Sequence, residues 1–179
     1  NTIAKHDPKS GRSEIIATEL GYLWSNLLQR GGVDTHRTIG FCAIGDDEGS
    51  NTLAANLALF LGSKGKRIAL VEASLREKAL AGIFQATPSP GLAEALAGTA
   101  SLRDALRMQV APGVDLVPAG ESSDPFWSFT GERFRALVDL NLTRLRDHVR
   151  ACLLSTESVL LSQVLERFPP HEGILEIVG

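Results

Sequence analysis

The residues best suited to chemistry lie together at Ile44–Thr52, Ile-Gly-Asp-Asp-Glu-Gly-Ser-Asn-Thr, between an apolar run and an apolar helical pattern. A loop that holds phosphate at such a junction reads G/A-x-x-x-x-G-K-[ST]. Its glycines let backbone N–H groups converge on the anion, its lysine reaches the terminal phosphates, and its hydroxyl holds Mg²⁺. Here Gly49 keeps the glycine before the lysine position, Ser50 takes the lysine position, Asn51 takes the hydroxyl position, and Thr52 keeps the next threonine. Asp46, Asp47 and Glu48 crowd the turn after Gly45, and Asp47 stands where a glycine would let the backbone approach phosphate. The stretch has the frame of an anion site and lacks its cation.

Magnitudes show what that loss means. At an effective dielectric of about 20, a lysine about 4 Å from one phosphate charge is worth roughly 4 kcal/mol before desolvation. A carboxylate about 7 Å away opposes by roughly 2 kcal/mol. Micromolar binding totals about 8 kcal/mol. Removing the lysine and adding two facing acids can therefore consume most of it. The plain alternative is a solvated strand–helix turn whose acids suit the positive end of the helix.

The elements that must position this loop follow from periodicity. Residues 1–12 are polar, contain Pro8 and Gly11, and read as a flexible arm. Ser13–Gln29 reads as a helix, with Ile16, Leu20, Leu23, Trp24 and Leu27 at three- and four-residue spacing and Gly31-Gly32 to end it. Thr38–Ile44 is a short apolar run of β-formers. Asn51–Leu61 is apolar nearly all round, hence a buried helix, closed by Gly62 with Lys64, Lys66 and Arg67 beyond. Further strands are expected at Ile68–Ala73, Gly113–Gly120, Arg150–Thr156 and Gly173–Val178. Helices are expected at Pro90–Gly98, Ser101–Arg107, Phe129–Val149 and Val159–Phe168. Apolar strands alternating with helices imply one α/β domain over residues 13–179, a three-layer arrangement around a mostly parallel sheet. Ligands of such sheets bind beyond the carboxyl ends of the strands, where Gly45–Ser50 falls.

Composition narrows the function classes. The chain has 179 residues, 44% hydrophobic and 22% charged, with a net charge of −3. That balance gives no global attraction to nucleic acid or anionic lipid. No apolar run approaches the ~18–20 residues of a membrane span. The N-terminus lacks a signal-peptide core and an initiator Met, so a fragment is expected. Cys42 and Cys152 each lie in an apolar strand-like run and read as buried thiols rather than a disulfide or metal pair. His6, His36, His148 and His171 have no ligand spacing, and no metal site is expected.

At this point the chain resembles the deviant Walker-A ATPases and, within them, the bacterial tyrosine kinases of capsule and exopolysaccharide synthesis. Asp7-Pro-Lys-Ser-Gly-Arg-Ser-Glu14 before Tyr22-Leu-Trp-Ser-Asn-Leu27 is similar to that family's S-P-x-S-E-A-[FY]-R-T-L-R-T-N-L helix. G-D-D-E-G-S-N-T-L-A-A-N-L-A resembles its G-P-G-E-G-K-S-T-T-A-A-N-L-A. A-L-V-E-A-S-L-R-E-K resembles L-L-[IV]-D-A-D-L-R-R-P. P-G-L-A-E-A-L-A-G is similar to G-L-x-E-x-L-x-G, V-D-L-V-P-A-G to L-x-V-L-P-A-G, and Leu153–Ser158, L-L-S-T-E-S, to the Walker B run I-I-D-T-P-P. The order and spacing hold over nearly the whole sequence and imply a P-loop NTPase-like fold of the MinD kind. They also imply that the family's last strands and helix lie beyond residue 179.

The departures fall on the family's functional positions. The two aspartates of the second-strand motif are Glu72 and Ser74, with Arg76 kept, and the Walker B aspartate is Ser155. The arginines of the family's oligomerisation helix fall on Gly21 and Trp24, and Tyr22 is the only tyrosine. The resemblance therefore implies a module of polysaccharide synthesis and export without catalytic residues, without ATP or Mg²⁺ as cofactor, acting by protein contacts. Expected partners are a membrane polysaccharide co-polymerase or another export subunit, or a second copy, with no nucleic acid. The expected place is the cytoplasm, with recruitment to the inner membrane by a partner. The alternatives are an ATPase or protein tyrosine kinase with a rearranged site, or a MinD/ParA-type positioning protein.

Among the residues singled out, Glu72 and Arg76 read more simply as an ion pair near a helix. Arg133, Arg135, Arg144, Arg146 and Arg150 read as a solvated helix face, the alternative being a patch for an acidic partner. Pro125–Phe129, P-F-W-S-F, reads as core packing, or as a partner surface where exposed.

Overall fold

The computed structural model describes residues 11–31, 37–43, 49–73, 78–121, 151–157 and 175–178. The chain forms two compact units, Asn1–Thr35 and His36–Gly179. The first carries helix α1 (Gly11–Gly31), two residues longer at each end than its periodicity predicts. Its amphipathic pattern is visible in the side chains: Leu20 and Leu27 are buried, whereas Ile15 and Tyr22 are exposed.

The second unit is built on a six-stranded sheet. Its strands are β1 (Arg37–Ala43), β2 (Ile68–Glu72), β3 (Arg107–Ala111), β4 (Val114–Val117), β5 (Ala151–Glu157) and β6 (Leu175–Val178), in the order β3-β4-β2-β5-β1-β6. All neighbouring pairs are parallel except β3 with β4. The five predicted strands are all present. The two central strands whose side chains are described, β2 and β4, are buried at every residue, as a sheet covered on both faces requires. Helix α2 (Ser50–Ser63) packs against β1, β2 and β5 and buries Ala54, Ala55, Leu57, Ala58 and Leu61.

Register settles one expectation about the cysteines. Thr38 pairs with Cys152 and Cys42 pairs with Thr156 on adjacent parallel strands, so the two cysteines are offset by four residues along the sheet. At about 3.3 Å per residue that is roughly 13 Å. A disulfide needs Cα atoms within about 7 Å, so none can join them.

Two elements are not in the sequence-based reading. Helix α3 (Ala79–Ile83) lies where no element is predicted. Strand β3 occupies the end of the predicted helix Ser101–Arg107: helix α5 is only Leu102–Ala105, and Leu106 is already extended. Arg107 explains the break. Its guanidinium donates to Thr87 Oγ1 at 2.7 Å, to the Asp104 carbonyl at 2.8 Å and to the Pro90 carbonyl at 2.7 Å. Those contacts hold the end of α5 to the segment before helix α4 (Leu92–Ala97) and send the chain back as the edge strand. The β3–β4 hairpin turns at Pro112-Gly113, with Gly113 at φ +74°. The Gly113 carbonyl accepts from Ile68 N–H at 2.8 Å, which ties the hairpin to the start of β2. The predicted helices Phe129–Val149 and Val159–Phe168, the arginines of the former, and Pro125–Phe129 lie outside the described residues. No described helix is long and apolar enough to cross a membrane.

Candidate functional site

The sheet order places β2, β5 and β1 side by side, so Glu72 and Ser155 lie at one end of the sheet. Ser155 on β5 is in register with Phe41 on β1 and with Glu72 on β2. Two residues past Phe41, β1 ends at Ala43, and the chain re-enters the described structure at Gly49, where α2 begins. Gly45, Asp46, Asp47 and Glu48, and likewise Ser74 and Arg76, lie outside the described residues.

Gly49 caps α2 in the left-handed conformation, φ +79° and ψ 18°, and its carbonyl accepts from Leu53 N–H at 2.8 Å. A Cβ placed on it would meet nothing within 4 Å, so backbone conformation and not crowding calls for glycine there. Ser50 and Thr52 are half-buried on the first turn, and Asn51 is buried. The helix start therefore has a left-handed glycine at its cap and neutral side chains, Ser50, Asn51 and Thr52, on its first turn.

Glu72 is the described member of the pair expected with Arg76, which lies outside the described residues. Glu72 is fully buried. Its Oε1 accepts from Leu80 N–H at 2.6 Å and its Oε2 accepts from Ala119 N–H at 3.0 Å. Leu80 is on the first turn of α3, whose N-cap residue, Lys78, is left-handed and supplies no side-chain cap. The glutamate thus caps a helix eight residues ahead of it and, in the same contact, pins the segment after β4. Burial raises its pKa above the ordinary 4.5, and hydrogen bonds from the Leu80 and Ala119 amides partly oppose that. Chemically this carboxylate is an anchor for backbone N–H groups.

The segment it pins is itself built by a second carboxylate that the sequence reading missed. Glu94 Oε2 accepts from Gly91 N–H at 2.6 Å, and Oε1 accepts from Glu121 N–H at 2.8 Å and from the Ser89 hydroxyl at 3.1 Å. Leu92 and Ala93 N–H donate to the Pro118 and Ala119 carbonyls at 2.8 and 2.9 Å. Burial works against the Glu94 charge, but the hydrogen bonds from Gly91, Glu121 and Ser89 outweigh it and hold its pKa below the usual value. A Cβ on Gly91 would run into the Gly120 amide and the Pro118 carbonyl, so two backbones meet there without room for a side chain. The signal for Glu94 was in the sequence: Gly91-x-x-Glu94 has the spacing of the returning half of a capping box. The stretches P-G-L-A-E-A-L-A-G and V-D-L-V-P-A-G, noted separately in the sequence, form one joint.

No protein-family model matches the sequence. Over 120 residues the chain is 29% identical to tyrosine-protein kinase ptk of Acinetobacter johnsonii, a match covering 64% of this chain and 16% of that protein. Over 87 residues it is 33% identical to the succinoglycan biosynthesis transport protein ExoP of Rhizobium meliloti, covering 49% of this chain and 11% of that one. The fold matches the kinase domain of VpsO at a TM-score of 0.70 and 26% identity, over 92% of this chain and 80% of that domain. Most of the curated proteins the chain is similar to carry the name tyrosine-protein kinase. The cell-division ATPase MinD of Pyrococcus furiosus shares the fold more distantly, at a TM-score of 0.53 and 23% identity over 67% of this chain and 49% of that one. The α/β, mostly parallel architecture read from the sequence is thus that of the tyrosine-kinase and MinD-like P-loop proteins. The segments matched in ptk and ExoP are a small part of each of those proteins.

Proposed function

We propose that this chain is a kinase-like module of exopolysaccharide or capsule synthesis and export that has given up nucleotide chemistry and acts by contacts with other proteins. The observation that carries the reading is the placement of Glu72. It is the one carboxylate kept among the three aspartate positions of the resemblance, and it is buried against the Leu80 and Ala119 amides. The other two positions, Ser74 and Ser155, bring no charge, and Ser50 and Asn51 replace the lysine and the hydroxyl. Mg·ATP does not suit this set: Ser50 stands at the lysine position, Asn51 and Ser155 bring no charge to the metal positions, and Glu72 is engaged with backbone amides. The partners that suit the reading are a membrane co-polymerase or another export subunit, which would hold the module at the inner membrane from the cytoplasmic side. A second copy is the other occupant of that kind.

One observation favours the enzyme alternative, an ATPase or tyrosine kinase with a rearranged site. Gly49 is left-handed at the start of α2, and a helix N-terminus presents backbone N–H groups that suit an anion. Calorimetric titration with Mg·ATP separates the two. The expected result is no heat of binding at micromolar nucleotide. Micromolar binding that disappears in Gly49→Val overturns the reading as a module without nucleotide chemistry.

A further inference from the structure

We propose that Glu72 is a structural tie set by side-chain length: the reach of a glutamate, one methylene beyond an aspartate, lets the end of β2 hold both α3 and the turn at 118–121. The inference rests on the reading above, that this end of the sheet no longer serves nucleotide. Three observations carry it. The side chain is fully buried and each oxygen is met by a backbone N–H from a different segment. Helix α3 has no side-chain cap of its own, so Leu80 N–H depends on Glu72. Ala119 belongs to the turn whose Pro118 and Ala119 carbonyls receive the first amides of α4. One carboxylate therefore orders α3 directly and α4 through the turn.

Length decides whether the tie can be made. Shortening the side chain by one C–C bond, about 1.5 Å, stretches contacts of 2.6 and 3.0 Å towards ~4 Å, beyond hydrogen-bonding range. The aspartate of the resembling motif could not hold both amides from this strand position. Returning to that residue would undo a structural contact without rebuilding a site, because Ser74 and Ser155 stay uncharged.

The test is amide hydrogen exchange, read residue by residue, in the full chain and in Glu72→Asp and Glu72→Gln, with Mg·ATP titrated into each. Glu72→Asp is expected to raise exchange at Leu80 and Ala119 about tenfold or more, while Leu57 and Leu61 in α2 keep their protection. Glu72→Gln keeps the reach but offers one acceptor oxygen, so one of the two amides keeps its protection and the other loses it. Glu72→Gln also serves if the aspartate variant does not fold. Unchanged protection at both amides in either variant overturns the tie. Micromolar binding of Mg·ATP by Glu72→Asp overturns the functional reading instead, and the exchange data then judge the tie separately.

Discussion

Glu72 and Glu94 accept hydrogen bonds from amides two residues apart on one turn, Ala119 at 3.0 Å and Glu121 at 2.8 Å. They come from different elements, β2 and α4, and they meet the turn in different surroundings. Glu72 is fully buried, while Glu94 is half-buried and also holds Ser89 and Gly91. Three stretches that resemble one family in sequence are therefore neighbours in space for a structural reason: two carboxylates and a glycine–glycine contact lock them.

Removing the Glu72 carboxylate leaves two buried amides without acceptors. Each orphaned group costs about 1–3 kcal/mol, so Glu72→Ala is expected to lose about 2–6 kcal/mol of stability in urea denaturation. The pH dependence has a definite sign. Burial raises the folded pKa of Glu72 above 4.5, so the folded state binds this proton more tightly than the unfolded chain. The associated stability is fully present below the unfolded value and is lost as pH rises through the folded one. The stability gap between wild type and Glu72→Gln should narrow as pH rises from 4.5 through that range. A gap that widens instead refutes the assignment.

Glu94 carries the opposite sign. Its folded pKa is lowered, the hydrogen bonds from Gly91, Glu121 and Ser89 prevailing over burial. Its contribution is present above the unfolded value of 4.5 and is lost as pH falls through the folded pKa. Glu94→Ala should cost about 1–2 kcal/mol at neutral pH, in the range of a lost helix cap. The difference from wild type should shrink on acidification below 4.5, which a pH series of melts would show.

How legible the fold was depended on where each element finds its partners. Helix α5 announces itself locally: Ser101 Oγ accepts from Asp104 N–H at 3.2 Å, and Asp104 Oδ2 accepts from Ser101 N–H at 3.1 Å, a box readable as Ser-x-x-Asp. Helix α3 has no such signal because its cap, Glu72, comes from the sheet. Strand β3 was hidden for a similar reason: Arg107, where α5 gives way to the strand, donates to Thr87 and Pro90, twenty and seventeen positions away. At the site, substitution was legible and orientation was not. Sequence showed that Ser50, Asn51, Ser74 and Ser155 differ from the resembling motifs; only the fold shows that the remaining carboxylate is engaged with backbone.

Two glycines separate crowding from conformation. Gly91→Ala drives a Cβ into the backbone of Gly120 and Pro118, which cannot move as a side-chain tip can, and should cost about 1–3 kcal/mol. Gly49→Ala has open space around the new carbon and is opposed only by its φ of +79°, about 1–2 kcal/mol. Gly91→Ala should also loosen α4, so faster exchange at Leu92 and Ala93 is expected in that variant and not in Gly49→Ala. Equal effects on those two amides would show that the Gly91–Gly120 contact is not what seats the helix.

Restoring the lysine alone should fail. Ser50→Lys returns a charge worth roughly 4 kcal/mol at about 4 Å before desolvation. Asp46, Asp47 and Glu48 remain in the same loop, and any one of them facing the phosphate at about 7 Å removes roughly 2 kcal/mol of that. The metal gains nothing, because Asn51 and Ser155 are unchanged and Glu72 stays bonded to Leu80 and Ala119. Calorimetry of Ser50→Lys with Mg·ATP is expected to show affinity weaker than micromolar, at or below the ~8 kcal/mol that micromolar binding represents. Adding Ser155→Asp and replacing Asp46 and Asp47 by proline and glycine changes the balance, since the loop then loses two opposing charges and the metal gains a carboxylate. If the single lysine suffices for micromolar binding, the acids of the loop point away from the anion and the site needs far less repair than its sequence implies.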